Sequence, residues 1–397
     1  MKILRVTSSY FPAYRYGGPI KIDYELDKWL VKKGVEVTEY TTNIDGPRDL
    51  NVPTNQPINI DGITVIYFKS SFPRAWFYSR YLHKALAKHT KDFDLIHITS
   101  VFLSVSTLGA YYAKKFNKPY IISPLGSLME ILLKKKSPMK KKIYISLIEK
   151  RNLRDAAAIH FNVEAEKDEY SKLGFPLKRA IILPNGLDPS DFSSRVEPGS
   201  FRKKFNIAKD QHVILFLSRL DWKKGLDTLI PAFNKVAEQQ PKAILVLAGG
   251  DDEGYKKEIE KLIDKYNLKE KVIFTGMIVG DDKTGAFQDS DVFVLPSYSD
   301  TFGMVVLEAM YFGLPVVITE NVGIAPAIAR ASAGLVIKKD INELAEAILK
   351  ILKNPDLAKK MGEAGRQLVR KEFSWSQIAE KFIKEYDNLI TNTSIPR

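Results

Sequence analysis

The sequence predicts an α/β protein made of two doubly wound, Rossmann-like domains that face a cleft. Three observations carry that prediction. At 397 residues the chain is too long for one hydrophobic core. Short, continuous apolar runs alternate with amphipathic stretches, the pattern of parallel strands buried between helices. The alternation occurs twice, on either side of ILPNGLDPSDFSSRVEPGS (182–200), where Pro, Gly, Ser and Asp break the periodicity.

The expected strands of the first half are ILRVT (3–7), VEVTEYTT (35–42), TVIYF (64–68), DLIHI (94–98), PYIISP (119–124) and AAIHFN (157–162). A helix over 20–34 ends at the stop signal Gly34. The second half repeats the style with HVILFLSR (212–219), KAILVLAG (242–249), KVIFTG (271–276), DVFVLPS (291–297) and PVVIT (315–319). Its helices are expected at 225–238, 254–267 and 303–312. A last helix over 374–391 opens at a Ser N-cap, and its apolar face suits either domain. The domains are therefore placed at 1–190 and 191–373, with 374–397 as a C-terminal helical segment that can pack back on the first.

Composition narrows the function classes. The apolar fraction is 45% and the charged fraction 27%, as in globular proteins. No apolar run is long enough to span a bilayer, and MKILRVTSSYFP reads as a first strand and not as a signal peptide. With no cysteine, disulfides and thiolate metal sites are excluded, and a cytoplasmic location is expected. The net charge is +13, nearly all of it in the first 190 residues, so an anionic partner is expected. No helix-turn-helix, RRM or zinc signature accompanies it, which argues against nucleic acid.

Ligands of open α/β sheets bind beyond the carboxyl ends of the strands, so the chemistry belongs in the loops there. Gly17–Gly18 follows the first strand and lets a ligand approach the backbone. In SRLDWKKGLDTL (218–229), Arg219 and Lys224 flank a turn into a helix, two cations suited to a pyrophosphate. SYSDTFGMVVLEAM (297–310) holds two carboxylates, Asp300 at the mouth of a helix and Glu308 inside it. A carboxylate within an apolar helix needs partners; a ribose diol or a Lys or Arg would serve. The Asp289–Ser290–Asp291 motif precedes a strand and reads as a structural turn, and no metal site is expected.

These segments together resemble the retaining family 4 glycosyltransferases of GT-B fold. The resemblance rests on SRLDWKKGLDTLI, LVLAGG, VIFTGMI and LPSYSDTFGMVVLEAMYFGLPVV in the second half. In the first half it rests on YFPAYRYGGP, DLIHITSVF, ISPLGSLME, LRDAAAIHFNVEAEKDEYSKLG and LPNGLDPSDF. It implies transfer of a sugar from a nucleotide-sugar co-substrate, with no other cofactor. Arg219 and Lys224 match the cations that hold the donor pyrophosphate. Glu308 matches the second Glu of an E-x7-E motif, which binds the ribose, and Asp300 the first, which contacts the sugar. Phe302, Gly303 and Met304 match a loop whose amides meet sugar or phosphate. Gly276, Met277 and Ile278 fall where main-chain groups hold the base, and Gly17 and Gly18 where a glycine loop meets the diphosphate. On the acceptor side the candidates are His97, Leu125 and Gly126.

The sequence departs from the family's pattern at three places. Leu125 replaces the His that lies by the donor sugar's O6, Asp300 replaces a Glu, and GIAPAIA (323–329) lacks a Glu. These departures keep two alternatives open: a degenerate nucleotide- or glycan-binding subunit, and a sugar-phosphate synthase on the same fold. The expected acceptor is a glycan or a lipid-linked glycan. EILLKKKSPMKKKIYISLIEKRNLR (130–154), a basic amphipathic stretch, is expected to dock on an anionic membrane surface as a peripheral contact.

Overall fold

The computed structural model describes residues 1–128, 144, 148–192, 195–251 and 254–394. The chain divides into two compact units, one of Met1–Gly186 with Trp375–Arg397 and one of Leu187–Ser374. Most of the expected basic docking stretch, 129–143 and 145–147, lies outside the described residues.

The first unit holds β1 (Lys2–Val6), β2 (Glu36–Thr42), a short hairpin of β3 (Ile44–Asp45) and β4 (Arg48–Asp49), β5 (Pro57–Ile60), β6 (Ile63–Phe68), β7 (Leu95–Thr99), β8 (Tyr120–Ser123), β9 (Ala158–Phe161) and β10 (Ala180–Ile182). Eight of them form one sheet in the order β10-β9-β8-β7-β1-β2-β6-β5. All neighbours are parallel except β5, which runs antiparallel to β6. The sequence pattern did not single out β5; Pro57 at its start explains why it sits at the sheet edge, where a missing N–H costs least.

Side chains alternate between the two faces of the sheet, so adjacent strand residues enter different cores. Leu4 and Val6 of β1 join Ile96, Ile98, Ile122 and Phe161 on one face. Ile3 joins Val37, Val65 and Leu95 on the other. The C-terminal helix Trp375–Ser394 closes that second core with Trp375, Ile378, Phe382, Tyr386 and Leu389, spaced at three and four residues. It is thus part of the first unit, although the chain reaches it only after crossing the second.

The second unit holds β11 (His212–Leu217), β12 (Ala243–Ala248), β13 (Val272–Gly276), β14 (Val292–Leu295), β15 (Val316–Thr319) and β16 (Gly334–Ile337). Its sheet is wholly parallel, in the order β13-β12-β11-β14-β15-β16. That is the doubly wound order, and strand succession reverses between β11 and β14. The loops after these two strands carry Arg219, Lys224 and Asp300. In the first unit the reversal lies between β1 and β7.

Candidate active site

After β11 the chain makes a single turn at Trp222–Lys224, capped by the Asp221 side chain, which accepts from the Lys223 N–H at 2.9 Å. It leaves this turn through Gly225, in the left-handed region at φ 74°. A Cβ there would lie 1.9 Å from the Pro296 carbonyl oxygen, so only glycine lets the loop after β11 press against the loop after β14. The Tyr298 N–H donates to the Lys223 carbonyl at 2.7 Å and ties the two loops again. Asp300 is fixed by its backbone: its N–H donates to Asn321 O at 3.1 Å, and its carbonyl accepts from the Gly323 N–H at 2.9 Å. Gly303, at φ 95°, then caps the helix Met304–Tyr311.

The charged side chains form two separate pairs. Lys224 Nζ donates to Asp300 Oδ2 at 2.6 Å, with the two side chains 17% and 18% exposed. Lys283 Nζ lies 2.7 Å from both oxygens of the buried Glu308 carboxylate. The two carboxylates eight residues apart therefore answer to different cations. Arg219 is exposed and has no side-chain partner among the described residues. One cation of the candidate pyrophosphate pair is thus unengaged, and the other keeps two of its three ammonium donors.

Backbone groups complete the neighbourhood. Phe302 packs its ring on Phe373, centroids 6.0 Å apart, so its side chain belongs to the core and only its main chain is available to a ligand. Gly303 and Met304 present the N–H groups of the helix start, where partial positive charge gathers. At the end of β13, the Gly276 carbonyl accepts from the Gly249 N–H at 2.9 Å. Met277 beside it is 78% exposed, and Ile278 turns inward. In the first unit Gly17, at φ 72°, caps the helix Gly18–Lys32, and a Cβ at either glycine would meet nothing within 4 Å. The space beside this backbone is open.

Two acceptor-side expectations need correction. His97 is a core residue: Nδ1 is 2.7 Å from Tyr386 Oη and Nε2 is 2.7 Å from Ser123 Oγ. It faces the C-terminal helix, and burial holds its imidazole well below the ordinary range. The Gly126 N–H is also committed, donating to Glu166 Oε1 at 2.6 Å. Leu125 is left-handed at φ 49°, a conformation that a bulky residue rarely adopts. It lines a small cavity with Arg5, Asn162 and Trp375.

The Asp289–Asp291 motif is structural. Asp289 accepts from the N–H groups of Gly199, Phe201 and Arg202, and Asp291 from Arg202 Nη2 at 3.0 Å and the Val213 N–H at 2.7 Å. Sequence reasoning missed Lys283. No local pattern marks it, because its partner lies on another helix 25 residues away. It also missed the bond from Tyr298 Oη to Asp227 Oδ2, 2.5 Å long, which ties the loop after β14 to the first turn of the helix Leu226–Gln239.

Comparison with known proteins follows this geometry. A family described as Glycosyl transferases group 1 matches residues 199–368, and one described as Glycosyltransferase Family 4 matches 21–191. The chain is 26% identical to an uncharacterized glycosyltransferase, MJ1607, of Methanocaldococcus jannaschii, over 97% of this chain and 98% of that one. It is 30% identical to a GDP-mannose-dependent alpha-(1-6)-phosphatidylinositol monomannoside mannosyltransferase of Mycobacterium tuberculosis, over 52% of this chain and 55% of the relative. Among solved structures, a sucrose-phosphate synthase of Thermosynechococcus elongatus superposes with a TM-score of 0.76 at 24% identity, covering 99% of this chain and 100% of that one. Alr3699/HepE of Anabaena, solved with UDP-glucose, gives 0.75 at 20% identity over 98% and 100%. At such identities the structural likeness speaks for the fold alone.

Proposed function

This chain belongs to the glycosyltransferases built from a family 4 and a group 1 module and has their GT-B fold, and on that premise we propose that it is a retaining, metal-independent transferase. The sugar leaves a nucleoside diphosphate donor for an acceptor hydroxyl. The bond from the anomeric carbon to the β-phosphate oxygen breaks, a bond to the acceptor oxygen forms, and the acceptor proton leaves with the diphosphate or with solvent. The difficulty of such a step is the charge on the departing diphosphate. Fixed cations and helix-start amides already aimed at it are the most effective remedy. One observation carries the reading. At the β11/β14 switch point an exposed, unengaged Arg219, the Lys224 ammonium and the start of Met304–Tyr311 stand on interlocked loops.

Donor binding is the first test. Thermal shift with UDP, GDP and ADP and their sugars picks the base, since a ligand at 100 times its Kd adds about 2.7 kcal/mol of stability. Losing a charge-assisted hydrogen bond costs about 1.5–3 kcal/mol, so Arg219→Ala and Lys224→Ala should each slow transfer by about 10- to 100-fold. Wild-type transfer rates in both variants would refute the donor-site assignment. Activity should persist in EDTA; complete loss that added metal restores refutes metal independence.

The acceptor follows from the first unit. Its loops expose Phe72 (92%), Tyr14 (65%) and Trp76 (58%), rings suited to sugar faces or to a membrane interface. With the positive charge of this half, they support a glycan or lipid-linked acceptor presented at an anionic membrane. Sedimentation with phosphatidylglycerol vesicles at low and high salt tests the docking, and equal binding to neutral vesicles counts against it. Among the described residues no helix is long and apolar enough to cross a membrane. A sugar-phosphate synthase is the second reading. It is favoured by the likeness to the sucrose-phosphate synthase fold, and a screen of sugar-phosphate acceptors separates the two.

A further inference from the structure

We propose that Lys283 is a positioning residue of the donor site, which holds the Glu308 carboxylate in the orientation that accepts a ribose hydroxyl. The inference rests on the reading that Glu308 grips the donor ribose. Glu308 sits in the helix Met304–Tyr311 among Val306, Leu307, Ala309 and Met310, all buried. A carboxylate in such surroundings is costly unless it is paired. Lys283, on the helix Gly280–Gln288, is the partner, and its ammonium is 2.7 Å from each carboxylate oxygen.

Two features make this contact a positioning device and not a chance surface pair. The first is a second rung. Phe287 lies four residues after Lys283 and Phe312 four residues after Glu308, so each follows its partner on the same helix face. Their rings stack with centroids 5.5 Å apart and planes 13° apart. Phe287 and Phe293 extend the stack into the core at 6.3 Å. The ring stack thus gives the two segments a second contact beside the ion pair. The second feature is that the neighbouring Asp282 is taken by Lys204 at 2.6 Å, while Lys283 reaches Glu308.

The stereochemistry leaves room for the sugar. A carboxylate has about four lone-pair sites, and a bridging ammonium takes one on each oxygen. One outer site on each oxygen remains, and because these two point apart, either one accepts a single ribose hydroxyl. Lys283 also lies in the first turn of the helix that follows Gly276–Ile278, the segment assigned to the base. One short stretch would therefore set both the base and, through Glu308, the ribose.

The experiment compares binding of whichever of UDP, GDP and ADP binds the wild type tightest with that of its 2′-deoxy and 3′-deoxy forms. It uses the full chain as wild type, Lys283→Gln and Lys283→Arg. Wild type should prefer the ribose form by about 10-fold, the worth of one good charged hydrogen bond. Lys283→Gln should cut that preference to about 2-fold, raise the donor KM and leave kcat nearly unchanged, and Lys283→Arg should restore the preference. The affinity ratio does not depend on the fraction of protein folded, so a partly unfolded variant still reports. An unchanged ratio in Lys283→Gln, or tighter nucleotide binding, overturns the proposal. Wild-type protein that binds the nucleotide but ignores its ribose hydroxyls overturns the Glu308 reading itself, and this inference with it.

Discussion

Both sheets gather charge at their switch points, and they treat it in opposite ways. In the first unit Arg5 of β1 is fully buried, paired with Asp23 and, at 2.9 Å, with Asp27, two carboxylates four apart on one helix face. Tyr10 donates to Asp27 at 3.0 Å, Thr99 to Asp23 at 3.0 Å, and Thr7 to the neighbouring buried Glu39 at 2.6 Å. In the second unit the switch point holds one exposed arginine and the part-buried pair Lys224–Asp300, with the pair Lys283–Glu308 on the helices nearby. Burial drives the Asp23, Asp27 and Glu39 carboxyls upward, with Arg5 opposing it. Perturbed titration is often a sign of an active site. Here the most perturbed groups are sealed and spent on one another, while the groups placed for a ligand are an exposed arginine and simple ion pairs.

The largest effect should come from breaking the sealed network. Arg5→Met leaves three buried acids without their cation, and removing one partner of a buried pair costs about 3–5 kcal/mol. The urea midpoint should fall sharply, and nucleotide affinity of the protein that remains folded should not change. Arg219→Ala should do the reverse, leaving the midpoint in place. If the two variants lose stability alike, the contrast between a closed and an open site is wrong.

A buried acid outside that network sharpens the contrast through pH. Glu149 is buried and accepts the Phe102 N–H at 3.0 Å. Burial pushes its carboxyl up to about 7, against the opposing effect of that bond. A folded value above the unfolded one means that the folded state holds the extra proton. The resulting stability is complete below the ordinary value of 4.5 and is lost as pH rises towards 7. At 1.36 kcal/mol per pKa unit, the loss is on the order of 3 kcal/mol. Glu149→Gln should flatten this dependence and raise the melting temperature at pH 8. A wild-type melting temperature that is level from pH 4.5 to 7 would contradict the assignment.

Which of these features could be read from the sequence follows from their range. The central strands of both sheets lie within a residue or two of the apolar runs, because a strand buried on both faces needs an unbroken run, whereas β10 and β16, at sheet edges, were not expected. Arg219, Lys224 and Asp300 stand in the loops where strand ends placed them. What was not legible depended on contacts distant in sequence. His97, expected at a strand end, lies in the middle of β7, and residues 382 and 386 of the last helix cover it. Glu308 needed a partner, and nothing in GDDKTGAF marks Lys283 as that partner. The edge strand β5 carries a proline and half-buried alternation, a weaker pattern than the central strands show.

The smallest effect tests what Leu125 does to the choice of donor sugar. Family resemblance puts a histidine beside the donor sugar's O6 where this chain has Leu125. An apolar side chain there gains nothing from a 6-hydroxyl, so wild type should use a hexose donor and its 6-deoxy analogue at similar rates. Leu125→His should restore a preference for the 6-hydroxyl sugar. One neutral hydrogen bond contributes about 0.5–1.5 kcal/mol, which is about 2- to 12-fold in relative kcat/KM. The substitution suits the backbone, because Leu125 sits at φ 49° and histidine enters the left-handed region more readily than leucine. Melting temperature should therefore hold or rise slightly, which separates a change of preference from damage. A wild-type enzyme that already favours the 6-hydroxyl donor by more than about 10-fold, with Leu125→His unable to move the ratio, would mean that Leu125 does not reach the sugar.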